Sequence, residues 1–470
     1  MNKNPNTYDL VVIGSGPGGY VAAVRGAQLG MKTAIVERDK LGGICLNWGC
    51  IPTKALLKNA EIYQLFQHSE EWGISHDNLR FDFSKVIDRS RSVADRISKN
   101  VGFLMKKNNI STFFGKARLA GKQRVEILDE KGQVKETLST TRVLVATGAR
   151  PRTLPGVEFD GQRIIGSTEA MIQKQVPKKM LIIGAGAIGV EFAYFYHAFG
   201  TEVTLVEMMP TILPIEDREI SNLLLKSFKK RGIQVHTETK VESLGATGGG
   251  IEATMVNAKD EKSSLTADIA LMAIGVRGNT EDLGLEKVGV KIEKSFIQVD
   301  NQFRTSAENV SAIGDVIGPP WLAHVASTEA IVAVEAMAGV KDGRRIDYDK
   351  IPGCTYCQPQ VASVGLTEEK ARDKGYEIKI GRFPFLASGK ARATGETEGL
   401  VKLIFEAKYG ELLGAHILGS EATEMIAELA LAKTLEATYE EILNTVHAHP
   451  TLSEATMDAA GEAFGLGVNL

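Results

Sequence analysis

Cysteine is scarce, with four residues in a chain of 470. That is too few for a disulfide-stapled secreted scaffold and points to a reducing compartment, the cytoplasm, where any disulfide is more useful to catalysis than to architecture. Long apolar runs are missing too: no uninterrupted stretch approaches about 18 residues, so no membrane span is expected. Met1 to Tyr8 is polar and a strand-like run starts at Asp9, so no signal peptide is read there. Charge of one sign is also lacking, because 55 bases against 58 acids leave a net charge of -3. Such a balance excludes a protein that coats nucleic acid or an anionic membrane.

Glycine, by contrast, is abundant. The 48 glycines are about a tenth of the chain, against a background near 7%. Glycine is needed where a backbone turns tightly or lets a ligand approach. Hydrophobic content of 43% with 24% charged residues is that of an ordinary globular chain, and the length suggests about three domains.

Asp9 to Arg38 reads as strand, tight turn, helix and strand. Gly14, Gly16 and Gly19 form a G-x-G-x-x-G arrangement after the run Leu10 to Ile13, and a second strand, Thr33 to Val36, ends at Glu37. The first glycine makes the turn, the second admits a pyrophosphate, and the third lets helix pack on strand. The phosphate then sits at the helix N-terminus and the terminal acid meets a ribose hydroxyl. One such motif is weak evidence, but here it occurs twice. Gly184, Gly186, Gly189, Gly200 and Glu207 each follow their counterparts Gly14, Gly16, Gly19, Gly30 and Glu37 by 170 positions. Two dinucleotide sites on two Rossmann-like halves are therefore expected. Thr141 to Gly148 and Asp268 to Gly275 read as further buried strands ending at glycine. Met208, Met209 and Pro210 follow Glu207 with no arginine to receive a 2′-phosphate, so the second site should prefer NAD to NADP.

The resulting map places a first nucleotide domain over 1–149 and a second over 150–277, followed by segments 278–349 and 350–470. Proline-containing links at Pro151 to Pro155 and at Pro352 mark joints. Glu421 to Ala437 reads as an amphipathic helix.

Cys45 and Cys50 lie just after the first Rossmann-like turn, in the run Gly42 to Lys54. In a straight α-helix they would be separated by about 7.5 Å along the axis, beyond the ~7 Å that a disulfide tolerates between Cα atoms. A bridge thus requires an irregular turn, which Gly49 and Pro52 supply. Cys50 would fall just before a helix that Pro52 opens, where the dipole favours a thiolate, with Lys54 one turn on. An arbitrary pair would be read as small buried hydrophobes. Beside a dinucleotide fold, a dithiol that passes two electrons to a flavin is the better reading. Cys354 and Cys357 form a C-x-x-C, but no second such pair or H-x-x-x-H accompanies them and a strand puts their thiols on different faces. No metal is expected there.

Thiol chemistry also needs a group that takes and returns a proton near neutrality. Val446 to Glu454 contains His447 and His449, the latter followed by Pro450 and five residues before Glu454, which is placed to orient it. The residues alone do not choose between the two histidines.

Together these motifs resemble the pyridine nucleotide-disulfide oxidoreductases, most closely the branch that oxidises dihydrolipoyl groups. The resemblance covers essentially the whole chain: 14–20, 42–54, 146–151, 184–191, 312–315, 361–365 and 447–454. It implies an α/β fold with two Rossmann-like dinucleotide-binding domains, for FAD and then NAD, a central segment, and a C-terminal α+β domain that forms a homodimer. By the same resemblance Cys50 is the flavin-proximal thiol, Cys45 the thiol that meets substrate, and His449, assisted by Glu454, the base. His449 would serve the cysteines of the other subunit. Lys54 would sit by the flavin paired with Glu191, Glu37 would hold the FAD ribose, and Asp315 would touch the ribityl chain. Ala117, Thr147, Gly148 and Ala323 would complete the flavin site, and Val241 and Gly275 the NAD site. The implied partners are lipoyl domains of 2-oxo acid dehydrogenase or glycine cleavage complexes. Ile44 and Trp48 depart from the common redox motif, as do Cys354 and Cys357. A glutathione-type reductase is the main competitor, disfavoured by Glu207-Met208-Met209. A mercuric reductase would carry a terminal cysteine pair, absent from Gly465 to Leu470. A silent flavoprotein scaffold has no reason to keep the complete reacting set.

Overall fold

The computed structural model describes residues 6–341 and 343–469. The first residues of the polar leader, through Pro5, and the terminal Leu470 lie outside the described residues. Two units are present. One comprises the chain up to Leu56 with Ser84–Arg152 and Gly275–Ile346, and the other Leu57–Phe83, Thr153–Ile274 and Asp347–Leu470.

In the first unit, β1 (Thr7–Ile13) leads into α1 (Pro17–Gln28) and β2 (Thr33–Glu37). Leu10, Val11 and Val12 are wholly buried, as expected for a parallel strand covered on both faces. β1 is central, pairing in parallel with β2 and with Val134–Val145, while Ser111–Phe114 and Val310–Ala312 extend the parallel part on either side. Strands Lys116–Leu119 and Arg124–Leu128 add an antiparallel arm. Pro17 stands at the first position of α1, where its fixed φ suits a helix and its missing N–H costs nothing. The buried face of α1 is small, made of Gly18, Gly19, Ala22, Ala23 and Gly26, which brings the helix close to the sheet. A short helix, α2 (Gly43–Trp48), and a longer one, α3 (Cys50–Gln67), follow β2 with Gly49 between them. Strand Ala149–Pro151 pairs antiparallel with Val276–Gly278. The first unit reaches Arg152 and resumes at Gly275.

In the second unit a five-stranded sheet runs in the order Gln234–His236, Glu202–Val206, Lys179–Ile183, Ile269–Met272, Ile164–Ile165, parallel throughout. Helix Ala187–Ala198 joins its central strand to the next, which repeats the β1–α1–β2 order. A three-stranded antiparallel sheet of Thr239–Thr247, Gly250–Asn257 and Lys262–Ala267 follows. The C-terminal part is a five-stranded antiparallel sheet with helices Ala422–Thr434 and Glu454–Ala463 on its apolar face. Inside this unit the buried Lys402 ammonium meets Asp217 at 2.9 Å, Glu219 at 3.0 Å and Glu368 at 2.8 Å, which compensates a charge that burial would otherwise make costly. Among the described residues, no helix is long and apolar enough to cross a membrane.

Candidate active site

The three glycines of each turn do different physical work. Gly14 has φ +96°, and a Cβ there would stand 2.3 Å from the Ala146 carbonyl oxygen. A Cβ on Gly19 would lie 2.0 Å from the Gly14 oxygen, so this glycine closes helix onto turn. Gly16 is the exception, because its missing Cβ faces open space. Gly184, Gly189 and Gly186 repeat the pattern, at 2.4 Å from Ala273 O, at 1.9 Å from Gly184 O, and facing open space. Neither helix has an acid in its first turn nor a side-chain cap. Unbonded N–H groups, the positive dipole end and room beside the middle glycine fit a dinucleotide pyrophosphate at both places.

The two acids brace these turns. Glu37 Oε2 accepts from Ser15 N at 2.9 Å and Ser15 Oγ at 2.6 Å, while Oε1 accepts from Arg38 N at 2.7 Å and Asp39 N at 2.9 Å. Glu207 does the same with fewer donors, taking Ala185 N at 2.7 Å and Met209 N at 2.9 Å. Both acids are buried, whereas Met208 and Met209 beyond the second are 72% and 46% exposed. The second turn is thus followed by a buried acid and two exposed methionines.

The redox turn is fastened to the first glycine turn. Gly42 N donates to Ser15 O at 3.0 Å, and Gly43, with φ +60°, lies so close that a Cβ would stand 2.6 Å from Gly16 Cα. Cys45 and Cys50 are disulfide-bonded with Cα atoms 4.7 Å apart. Gly49 (φ −153°, ψ −116°) makes the break between α2 and α3, and its carbonyl accepts from Thr53 N at 3.0 Å and Thr53 Oγ1 at 2.7 Å. α3 begins at Cys50 itself, not at Pro52 as the sequence suggested. Pro52 is tolerated inside because the first four N–H groups of a helix have no intrahelical acceptor. Lys54 follows one turn later, half-buried. Cys354 and Cys357 are not disulfide-bonded. Cys354 lies in strand Gly353–Thr355, and the Cys357 thiol, beyond it, donates to Pro359 O at 3.2 Å.

At the carboxyl edge of the first sheet, Thr147 and Gly148 follow the strand ending at Val145, and Asp315 follows the strand ending at Ala312. Burial, reinforced by Glu329, pushes the Asp315 carboxyl up to about 6. Ala323 opens helix Ala323–Met337, and Ala117 is buried in the antiparallel arm. In the second unit Glu191 lies on helix Ala187–Ala198 and accepts from Tyr356 N at 2.9 Å. Val241 is in strand Thr239–Thr247. Gly275, in the first unit, has φ +99°.

His449 and Glu454 are brought together. Nδ1 of His449 lies 2.8 Å from Glu454 Oε1, and Oε2 accepts from Thr451 N at 2.8 Å. Burial acts to raise the Glu454 carboxyl, but the Thr451 amide and His449 outweigh it and hold it below the usual range. The imidazole is 77% exposed, leaving Nε2 open to a reactant. His447 is different: it is buried, with Nε2 at 2.6 Å from Glu428 and Nδ1 at 2.9 Å from Thr445 O. Both its ring nitrogens are engaged, so it is ill placed to exchange protons with a substrate.

Reading the sequence missed several of these partners. Ser15 occupies an unmarked position within G-x-G. Asn279, which accepts from Arg150 and ties its amide and carbonyl to Thr147, has no motif at all. Glu428 sits 19 residues from His447, and only a helical register drawn against the loop would have paired them.

Comparison with known proteins follows the same lines. Residues 8–330 match the model of the pyridine nucleotide-disulphide oxidoreductases, and 351–460 that family's dimerisation domain. A dihydrolipoyl dehydrogenase of Zymomonas mobilis is 49% identical over 458 residues, covering 97% of this chain and 98% of that protein. One from Rhizobium etli is 46% identical over 477 residues, covering 98% and 99%. Among solved structures, LpdA from Mycobacterium tuberculosis superposes with a TM-score of 0.88 at 26% identity, covering 96% of this chain and 99% of that one. The HOCl-induced flavoprotein disulfide reductase RclA from Escherichia coli gives 0.85 at 26% identity, covering 97% and 99%.

Proposed function

The chain belongs to the pyridine nucleotide-disulphide oxidoreductases, and on that footing we propose that it oxidises dihydrolipoyl groups with NAD as the final acceptor. The observation that carries the redox reading is the Cys45–Cys50 disulfide fastened through Gly43 to the first glycine turn. The substrate class is supported by curated relatives named dihydrolipoyl dehydrogenase at 42–49% identity over nearly the whole chain.

Cys45 is the thiol that meets substrate and Cys50 the one that faces the flavin. A substrate dithiol exchanges with the disulfide: its first sulfur bonds to Cys45 as the Cys45–Cys50 bond breaks, and its second sulfur then displaces Cys45. The substrate leaves as a cyclic disulfide and both cysteines are reduced. His449 accepts the thiol proton at Nε2, and Glu454 orients the ring and supports the imidazolium. Bound FAD supplies the two-electron link between a dithiol and a nicotinamide. Gly14, Gly16, Gly19, Glu37, Lys54, Ala117, Thr147, Gly148, Asp315 and Ala323 would hold it, and Gly184, Gly186, Gly189, Glu191, Glu207, Val241 and Gly275 would hold NAD. In domain terms, 1–149 binds FAD, 150–277 binds NAD, 278–349 is the central segment and 350–470 the interface. The enzyme works in the cytoplasm as a homodimer, His449 of one subunit serving the cysteines of the other. Its macromolecular partners are lipoyl domains of 2-oxo acid dehydrogenase or glycine cleavage complexes.

The test is a two-by-two assay of dihydrolipoamide with NAD or NADP, and of NADH or NADPH with oxidised glutathione. Turnover of dihydrolipoamide with NAD, well above that with NADP, is expected. Faster turnover of glutathione with NADPH would replace this reading with the glutathione-type one.

A further inference from the structure

Opening the disulfide removes the one covalent restraint on the turn between α2 and α3, and the contacts around that turn decide what the dithiol does next. The long helix Phe83–Lys107 presents Arg91, Asp95 and Ser98 to it. Positions 91, 95 and 98 fall on one helical face. Arg91 Nη1 donates to Asn47 O at 2.7 Å, and its guanidinium lies 4.8 Å above the Trp48 ring. Ser98 Oγ donates to Leu41 O at 2.7 Å. Asp95 takes Lys40 at 3.0 Å, and the same ammonium lies 5.9 Å from the Trp48 ring.

Each contact answers a local need. α2 has only six residues and no basic residue in its last turn, so its terminal carbonyls are short of donors. Arg91 supplies a charge-assisted one. Trp48 stands between the two cysteines and gives the guanidinium a flat face to stack on. Buried Asn47 ties the start of the turn, with Nδ2 at 3.0 Å from both Leu41 O and Gly43 O.

We propose that Arg91, stacked on Trp48 and bonded to the Asn47 carbonyl, is a positioning residue that holds Cys45 and Cys50 within bridging reach while they are reduced. It rests on the functional reading above and adds a residue that acts through the turn, not on the substrate. A held dithiol has a high effective concentration of one sulfur at the other, which favours reclosure. A released turn lets the sulfurs part, so the dithiol persists at a poise where it would otherwise have closed.

The experiment equilibrates the purified holoenzyme with graded ratios of reduced to oxidised dithiothreitol and counts alkylated Cys45 and Cys50 by peptide mass spectrometry. In that exchange the buffer dithiol gives up two electrons and two protons to become a cyclic disulfide, while the protein S–S bond opens to two thiols. Arg91→Met should shift the equilibrium about tenfold toward dithiol, which is about 30 mV for a two-electron couple. Trp48→Val, which leaves the charge untouched, should shift it the same way by a smaller factor, and it decides the matter alone if Arg91→Met does not fold. Arg91→Lys should fall between wild type and Arg91→Met, since an ammonium keeps the charge but not the stacked plane. An unmoved equilibrium in Trp48→Val and Arg91→Met would overturn the proposal. So would a shift toward disulfide, which would make Arg91 a stabiliser of thiolate instead. If Cys45 and Cys50 of the wild type never opened, the functional reading would fall together with it.

Discussion

Replacing Glu454 with glutamine should harm the enzyme more than replacing it with alanine. The reason lies in what faces the carboxylate. One oxygen takes His449 Nδ1–H and the other takes the Thr451 N–H, both at 2.8 Å. A glutamine in the same place has one acceptor and one donor end. Because the Thr451 N–H cannot reverse, the amide oxygen must turn to it and the NH2 must face Nδ1. Nδ1 then accepts, the ring proton moves to Nε2, and the nitrogen open to substrate can no longer act as a base. The opposite rotamer restores the tautomer but sets two donors against each other, at about 1–3 kcal/mol. Losing the carboxylate charge, which supports the imidazolium as it forms, costs about 1.5–3 kcal/mol more. Together these predict a fall of about 10²–10⁴ in kcat for Glu454→Gln. In Glu454→Ala, water reaches the exposed ring and leaves the tautomer free to choose, so only the charge is lost and the fall should be about 10- to 100-fold. Steady-state oxidation of dihydrolipoamide by NAD, with circular dichroism to check the fold, measures both. A glutamine variant within threefold of wild type, or one clearly faster than the alanine variant, would refute the reasoning.

Two further outcomes follow from the glycine turns and the buried acid. Gly16→Ala should fold normally, because its φ of −60° suits alanine and its Cβ meets nothing, yet the protein should lose bound flavin. Gly19→Ala, whose Cβ would strike the Gly14 carbonyl, should lose about 1–3 kcal/mol of stability as well. Absorbance at the flavin band and thermal midpoints separate the two, and equal destabilisation would count against the division of roles. Asp315 titrates higher in the folded protein than its ordinary 3.8, so its ionisation opposes folding above pH 6, and that cost is relieved as pH falls from about 6 toward 4. The rise to about 6 amounts to ~3 kcal/mol at most. Asp315→Asn should therefore stabilise the nucleotide-free protein at pH 8 and leave it unchanged at pH 4. A pH-independent difference in urea midpoints would count against this.

The repeat was legible because its physics is local: three glycines, a buried strand before them and an acid after the next strand each act within about 30 residues. The Cys45–Cys50 turn was legible for the same reason, since helix rise against disulfide reach demands a break and Gly49 is there to make it. What escaped was whatever depends on a second segment. Arg91 lies more than 40 residues from Trp48, and no pattern in the long helix marks it. The start of α3 was misread because proline is a signal for the first helical turn as a whole, not for one position in it. The same holds for the short strands at 149–151 and 276–278, which pair with each other: pairing partners cannot be read from either strand alone.

The contact between Gly43 and Gly16 bears on how this fold can be altered. With no side chain on either residue, the loop that delivers the disulfide and the turn that suits a pyrophosphate share one backbone surface, and neither can be remodelled while the other is kept. A chimera that imports only the cysteine loop of a distant relative would meet a mismatched turn, and one that imports only the turn would unseat the loop. The smallest exchangeable cassette therefore runs from Gly14 through Cys50, with Ile44 exposed on its outward side.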